Sequence, residues 1–220
     1  SAFGDEIDAD LDRQLEVLND LDIRYLELRN AWGTNVQKLD DDQVSAISKA
    51  CIRHSVKVSC IGSPIGKSSI LDPVETEIKN LRRIFQIANA LKTDKVRIFS
   101  FYPPDPKDRQ SGEKYINEAV SRLSRMAREA DEYGISLLLE NEDGLVGDNA
   151  ERCLVLLKET ASPALRFVWD TANFVVAGFE KPTDRGWADL SPYLEYVQIK
   201  DYRVSDKTIC PPGEGDSQIP

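Results

Sequence analysis

The chain contains one histidine, one methionine and four cysteines in 220 residues. Its single imidazole, His54, lies between Arg53 and Lys57 near the predicted end of a helix, a setting for a solvated or helix-capping side chain. A Ser/His/Asp or Cys/His relay therefore cannot be assembled. Cys51, Cys60, Cys153 and Cys210 are too scattered for a disulfide framework and show no paired metal-binding spacing. Cys51 on a helix and Cys60 in an apolar strand are expected as small core residues. No apolar stretch approaches membrane-spanning length, and no signal-peptide pattern opens the chain. These absences predict no membrane partner and a cytoplasmic location, although a start at Ser1 instead of methionine is compatible with a processed or cut chain. Positive charge is short as well. Lys plus Arg total 28 against 38 Asp plus Glu, a formal charge of -10. That balance argues against a nucleic-acid partner and leaves open an anionic substrate bound locally.

What the sequence does contain is a repeated event. The near-continuous apolar run Ile135-Ser136-Leu137-Leu138-Leu139 leads straight into Glu140 and Asn141. Leu165-Arg166-Phe167-Val168-Trp169 ends in Asp170, and Tyr196-Val197-Gln198-Ile199-Lys200 ends in Asp201. Runs of this kind are what central parallel strands buried on both faces require. About six such strands begin near residues 23, 56, 96, 135, 165 and 196 and alternate with helical periodicities. Alternation of this sort predicts an α/β fold with a mostly parallel sheet in a single domain over residues 1–220. The two α/β solutions are a closed barrel and an open doubly wound sheet, and no dinucleotide fingerprint follows the first strand. Residues 62–68 invite comparison with a phosphate-binding loop, but only Ser63, Pro64 and Ile65 separate Gly62 from the Gly66-Lys67 pair, one residue too few. The segment 179–191 reads as irregular, and 204–220 as a long loop.

The chemistry-bearing groups cluster at the predicted strand exits, where a (β/α) barrel builds its site. Glu140 and Asp170 are costly to bury unless they meet a cation or donors. They are expected either to cap the elements that follow or to hold a hard divalent ion through carboxylate oxygens. Asn141 and Asn173 suit a hydroxylated ligand, or turns. Alternation puts Gln198 and Lys200 on one strand face, so that Lys200 approaches either a substrate anion or the carboxylates themselves. Lys67 offers an electrostatic contact beside a turn over a sugar. Trp32 and Trp187, read as loop residues, are expected either as aromatic platforms for a sugar ring or as loop anchors. Asp201 completes the candidate set.

Taken in order, Leu137-Leu138-Leu139-Glu140-Asn141, Trp169-Asp170-Thr171-Ala172-Asn173, Gln198-Ile199-Lys200-Asp201 and Pro211-Pro212-Gly213-Glu214-Gly215-Asp216 resemble the sugar phosphate isomerase/epimerase superfamily, the xylose-isomerase-like TIM barrels. That group includes inosose dehydratases, ketose 3-epimerases, hydroxypyruvate isomerases and endonuclease IV. The resemblance spans essentially the whole chain. It implies a (β/α)8 TIM barrel truncated within strand one and before strand eight, with residues 1–3 as the tail of the first strand. It also implies a divalent metal (Mn, Mg, Co or Zn) held by Glu140 on strand five, Asp170 on strand six and Gln198 on strand seven, where histidine is usual. The fourth ligand would lie beyond Pro220. A second family histidine is replaced by Asn173. Glu140 would exchange the substrate proton next to a metal-polarised carbonyl, with Lys200 nearby. The implied activity is isomerisation or epimerisation of a small sugar, sugar phosphate or keto-polyol. A metal-poor or non-catalytic sugar-binding barrel and a dehydratase of a keto-inositol type substrate are the alternatives. Endonuclease IV is excluded, since its histidine-rich trinuclear site cannot be built from His54. A homo-oligomer is compatible with all of these.

Overall fold

A computed structural model describes residues 1–219. Seven parallel strands form its main sheet: β1 (Ala2–Phe3), β2 (Tyr25–Leu28), β3 (Lys57–Gly62), β4 (Lys95–Ile98), β5 (Ser136–Glu140), β6 (Leu165–Asp170) and β7 (Leu194–Gln198), hydrogen-bonded in that sequential order. The longer helices between them are α1 (Leu11–Asp20), α2 (Asp41–Arg53), α3 (Val74–Ala90), α4 (Ile116–Tyr133), α5 (Ala150–Thr160) and α6 (Pro182–Leu190). Sequential order in a parallel sheet is the topology of a barrel and not of a doubly wound sheet. The sheet curls enough that Gln198 on β7 donates to Glu27 on β2, five strands away. Among the described residues the ladder runs from β1 to β7 without closing, and a cleft of about 320 Å³ lies between these two strands.

Local chemistry accounts for the element ends. Asp10 caps α1 by accepting from the Arg13 amide at 3.1 Å. Asp40 and Gln43 form a reciprocal capping box on α2. Gly134, at φ 65°, takes the left-handed conformation that stops α4, one that glycine adopts without steric cost. Two segments depart from the sequence reading. The stretch expected to be irregular contains α6, started by Pro182 and packed so closely that a Cβ on Gly186 would meet the Ala150 methyl. Proline and glycine lower helix propensity, and tertiary packing overrides them here. The expected terminal loop contains a hairpin, Asp201–Arg203 paired antiparallel with Thr208–Cys210.

Alternation along the strands sorts side chains into two cores. Outward-facing residues join the helices in one large apolar shell that includes Leu137, Leu139, Phe167 and Trp169. Inside the curl, Cys60, Leu138 and Val168 form a small cluster capped by Tyr196. Two residues further along the same strands, the inward positions become Glu140, Asp170 and Gln198. The register pairs Glu140 with Val168 and Asp170 with Gln198, so the carboxylates are staggered across one rim. A dry floor beneath a polar rim is thus built by strand parity alone.

Candidate functional site

Glu140 and Asp170 are almost completely buried, at 1% and 0% exposed. Each has found a cation and an amide. Glu140 Oε2 accepts from the Arg97 guanidinium at 2.9 Å, and Oε1 accepts from Asn173 Nδ2 at 3.0 Å. Asp170 Oδ1 accepts the backbone amides of Ala172 and Asn173, at 3.1 and 3.0 Å, capping the short helix Thr171–Val176. Its other oxygen stands 2.8 Å from Lys200 Nζ. Burial pushes both carboxyls above the ordinary carboxylate range, while Arg97 and Lys200 pull against it. For Lys200 burial works against the ammonium, but Asp170, with Glu140 and Glu6, outweighs it and the amine is held above its usual value.

Backbone interactions fix this constellation. Asn141 Nδ2 donates to the Asp170 carbonyl and Asn141 Oδ1 accepts from the Asp170 amide, both at 3.0 Å. The side chain thereby extends the β5–β6 ladder by one rung, with both its nitrogen and its oxygen bonded to the Asp170 backbone. Thr171 does the same for β7, its hydroxyl bonded to the amide and the carbonyl of Lys200. Lys200 is held opposite Asp170 by the residue that follows Asp170.

Two residues that the sequence reading passed over belong to the same rim. Glu27, on β2, accepts from Gln198 Nε2 at 2.7 Å, and burial pushes its carboxyl up to about 7. Arg97, on β4, lies between the rings of Phe3 and Phe99, with its guanidinium carbon 5.6 and 4.6 Å from their centroids. The signal was a charge flanked by apolar residues inside a strand, Glu27 between Leu26 and Leu28, Arg97 between Val96 and Ile98. Glu27, Gln198 and Lys200 line the cleft beside β1.

The remaining sequence candidates fall elsewhere. Trp187 sits on α6 and not in a loop, where it is exposed and packs edge-on against Trp169 of the outer shell with centroids 5.5 Å apart. Trp32 lies at the tip of the small hairpin formed by Asn30–Ala31 and Thr34–Asn35, in a left-handed conformation beside Gly33. Lys67 pairs with Glu142 at 2.8 Å, above the ring of Phe99. Asp201 is buried and turned away into its own loop. It accepts four backbone amides, from Tyr202, Gly213, Gly215 and Ser217, at 2.9–3.1 Å. It therefore organises the loop over residues 201–217 with the carboxylate that the sequence reading offered to a substrate. Burial raises its carboxyl, but these donors outweigh burial and hold it below the ordinary value.

Replacing Asp201 by asparagine turns one acceptor into a donor facing amides. The expected cost is about 1–3 kcal/mol, read as faster hydrogen exchange at residues 201–217. Because the folded carboxyl is depressed, its contribution is present above the unfolded value and is lost as pH falls through the folded one. The difference between wild type and variant should therefore narrow in acid.

The donor set can now be compared with the divalent ion that the resemblance implies. Both Glu140 oxygens and Asp170 Oδ1 already accept N–H groups, and Asp170 Oδ2 faces an ammonium. Gln198 turns its NH2 to Glu27, and its carbonyl Oε1 is a single neutral oxygen, buried without a partner among the described residues. Among the described residues no cluster of three His, Cys, Asp or Glu side chains is disposed to hold an ion. The residues do not fit a resident divalent metal.

A family model described as Xylose isomerase-like TIM barrel matches residues 15–220. No curated protein matches the chain. Among solved structures, a probable 3-DHS dehydratase, AsbF, involved in petrobactin synthesis in Bacillus anthracis is 21% identical. It aligns over 87% of this chain and 68% of its own, with a TM-score of 0.70. A xylose isomerase-like TIM barrel protein from Mycobacterium smegmatis, in complex with magnesium, is 18% identical over 93% of this chain and 73% of its own, TM-score 0.73. D-allulose 3-epimerase from Methylomonas sp., in complex with D-allulose, is 16% identical over 94% and 70%, TM-score 0.69. At these identities the likeness is one of fold.

Proposed function

Because this chain belongs to the xylose isomerase-like TIM barrel family, we propose that its rim takes a small polyhydroxylated carbonyl compound and moves a proton at the carbon next to the carbonyl. The observation that carries this reading is the convergence of Glu27, Arg97, Glu140, Asp170, Gln198 and Lys200 from five strands onto one polar rim above an apolar floor. Gln198 Oε1 is a buried acceptor without a hydrogen-bond donor among the described residues, suited to a hydroxyl of a sugar-like ligand. Lys200, the most accessible member of its ion pair, is the group to face a carbonyl oxygen as it gains negative charge. Glu140 and Glu27 stand on strands three apart around the curl and are the two carboxylates available to take and return a proton. An epimerase and a probable dehydratase among the solved structures of this fold agree with that class of chemistry.

The test is solvent exchange. Incubated in deuterated water with a panel of ketoses, aldoses and keto-polyols, the protein is expected to wash deuterium into the carbon beside the carbonyl of at least one. A second reading, a sugar-binding barrel without turnover, is favoured by the full engagement of both Glu140 oxygens. Saturable binding of a panel sugar with no exchange would select it.

A further inference from the structure

The two buried carboxylates that the resemblance assigns to a metal are matched here by two cations of the chain itself. Arg97 contacts Glu140 at 2.9 Å and Lys200 contacts Asp170 at 2.8 Å. Each of these two carboxylates is therefore matched by a cation before any ion arrives. A divalent cation would add two positive charges to a nearly dry rim, where Glu27 is the further buried carboxylate among the described residues and Glu6 lines the same cleft. Space leads to the same end. Asp170 has one oxygen left after capping its helix, and the Lys200 ammonium stands before it. Lys200 has no freedom to withdraw its backbone, which Thr171 grips at both amide and carbonyl. Strand alternation sends its side chain inward while Ile199 points out, 61% exposed.

We infer that Lys200 is a built-in replacement for the metal, so that this site holds no resident divalent ion and the Lys200 ammonium, backed by the Arg97–Glu140 pair, presents the positive charge to a substrate oxygen. The inference rests on the proposed function only for the identity of that oxygen. The exclusion of metal follows from the pocket alone. One consequence concerns ligand class. A fixed monovalent ammonium makes a hydrogen-bonded contact with a single oxygen, whereas a metal chelates two neighbouring ones.

Ion occupancy is measured without turnover, by titrating Mn²⁺ alone into the full chain and following the free-ion paramagnetic resonance signal. Wild type is expected to bind no tighter than about 1 mM. Lys200→Met, which removes the ammonium and keeps the length of the side chain, is expected to gain at least about tenfold in Mn²⁺ affinity. Adding Gln198→His should strengthen the gain. Micromolar binding by wild type overturns the inference. So does a folded Lys200→Met, Gln198→His protein with no gain. Should Lys200→Met fail to fold, the wild-type titration still decides. Exchange measured with excess chelator separates the two claims. Exchange that survives the chelator supports both, and exchange abolished by it sinks the metal-free site alone. No exchange under any condition sinks the proposed function and leaves the titration standing.

Discussion

Arg97→Ala is expected to lower the unfolding free energy by about 3–5 kcal/mol. Its guanidinium is the only cation in contact with Glu140 among the described residues, and both side chains are almost wholly buried, at 7% and 1% exposed. Truncation leaves a carboxylate in a low-dielectric pocket with one amide donor, from Asn173. It also removes a hydrogen bond to the Ser63 carbonyl and empties the space between Phe3 and Phe99. Urea unfolding followed by tryptophan fluorescence would measure the loss, with a fall in Tm of roughly 10 °C. The sign with pH is fixed. Glu140 has a raised folded value, so protonation favours the folded state. That stabilisation is complete below the unfolded value of 4.5 and is lost as pH rises through the folded one. Without Arg97 the carboxyl rises further, and the deficit should be smaller near about pH 5 than near about pH 8. The double variant Arg97→Met, Glu140→Leu should recover most of the loss, because a buried pair replaced by apolar groups costs little. A single variant as stable as wild type would show that water reaches Glu140 freely.

Glu140→Gln is expected to reduce solvent exchange of a turned-over substrate by about 10²–10⁴-fold, the usual contribution of a positioned proton-transfer group. Glutamine keeps the length of the side chain and offers a carbonyl oxygen to Arg97 or to Asn173, so the pocket stays filled. The loss should fall on kcat with KM changed little, since the group acts on the proton and not on the hydroxyls. A variant that exchanges at the wild-type rate would leave Glu27 as the sole carboxylate acting on the proton. A rise in KM alone would make Glu140 a binding group.

The parallel α/β organisation and the rim could be read from the chain because the same event recurs in it. Apolar runs that end in Glu140 and Asp170 have few solutions besides central strands delivering carboxylates to one edge. Parity then placed Gln198 and Lys200 together and Ile199 apart. The partners of these groups were not legible. Arg97 and Glu27 interrupt short strands, where a charge reads as an exposed position until closure of the curl turns it inward. The direction of the Gln198 amide depends on Glu27, 171 positions away in sequence. Asp201 follows a strand-like run in the sequence as Glu140 and Asp170 do, yet it opens a hairpin and a glycine-rich segment folds back to surround it with amides. Helix α6 was missed because Pro182 and Gly186 lower its local propensity, while contacts with α5 and Trp169 sustain it.

The reciprocal bonds between Asn141 and the Asp170 peptide have a mechanical result. Asn173 hangs from Asp170 at its backbone and grips Glu140 with its side chain, so the two acids are harnessed to one another twice. A ligand that tugs on either acid displaces the other, and the strand tips on which they ride must shift together as one rigid jaw.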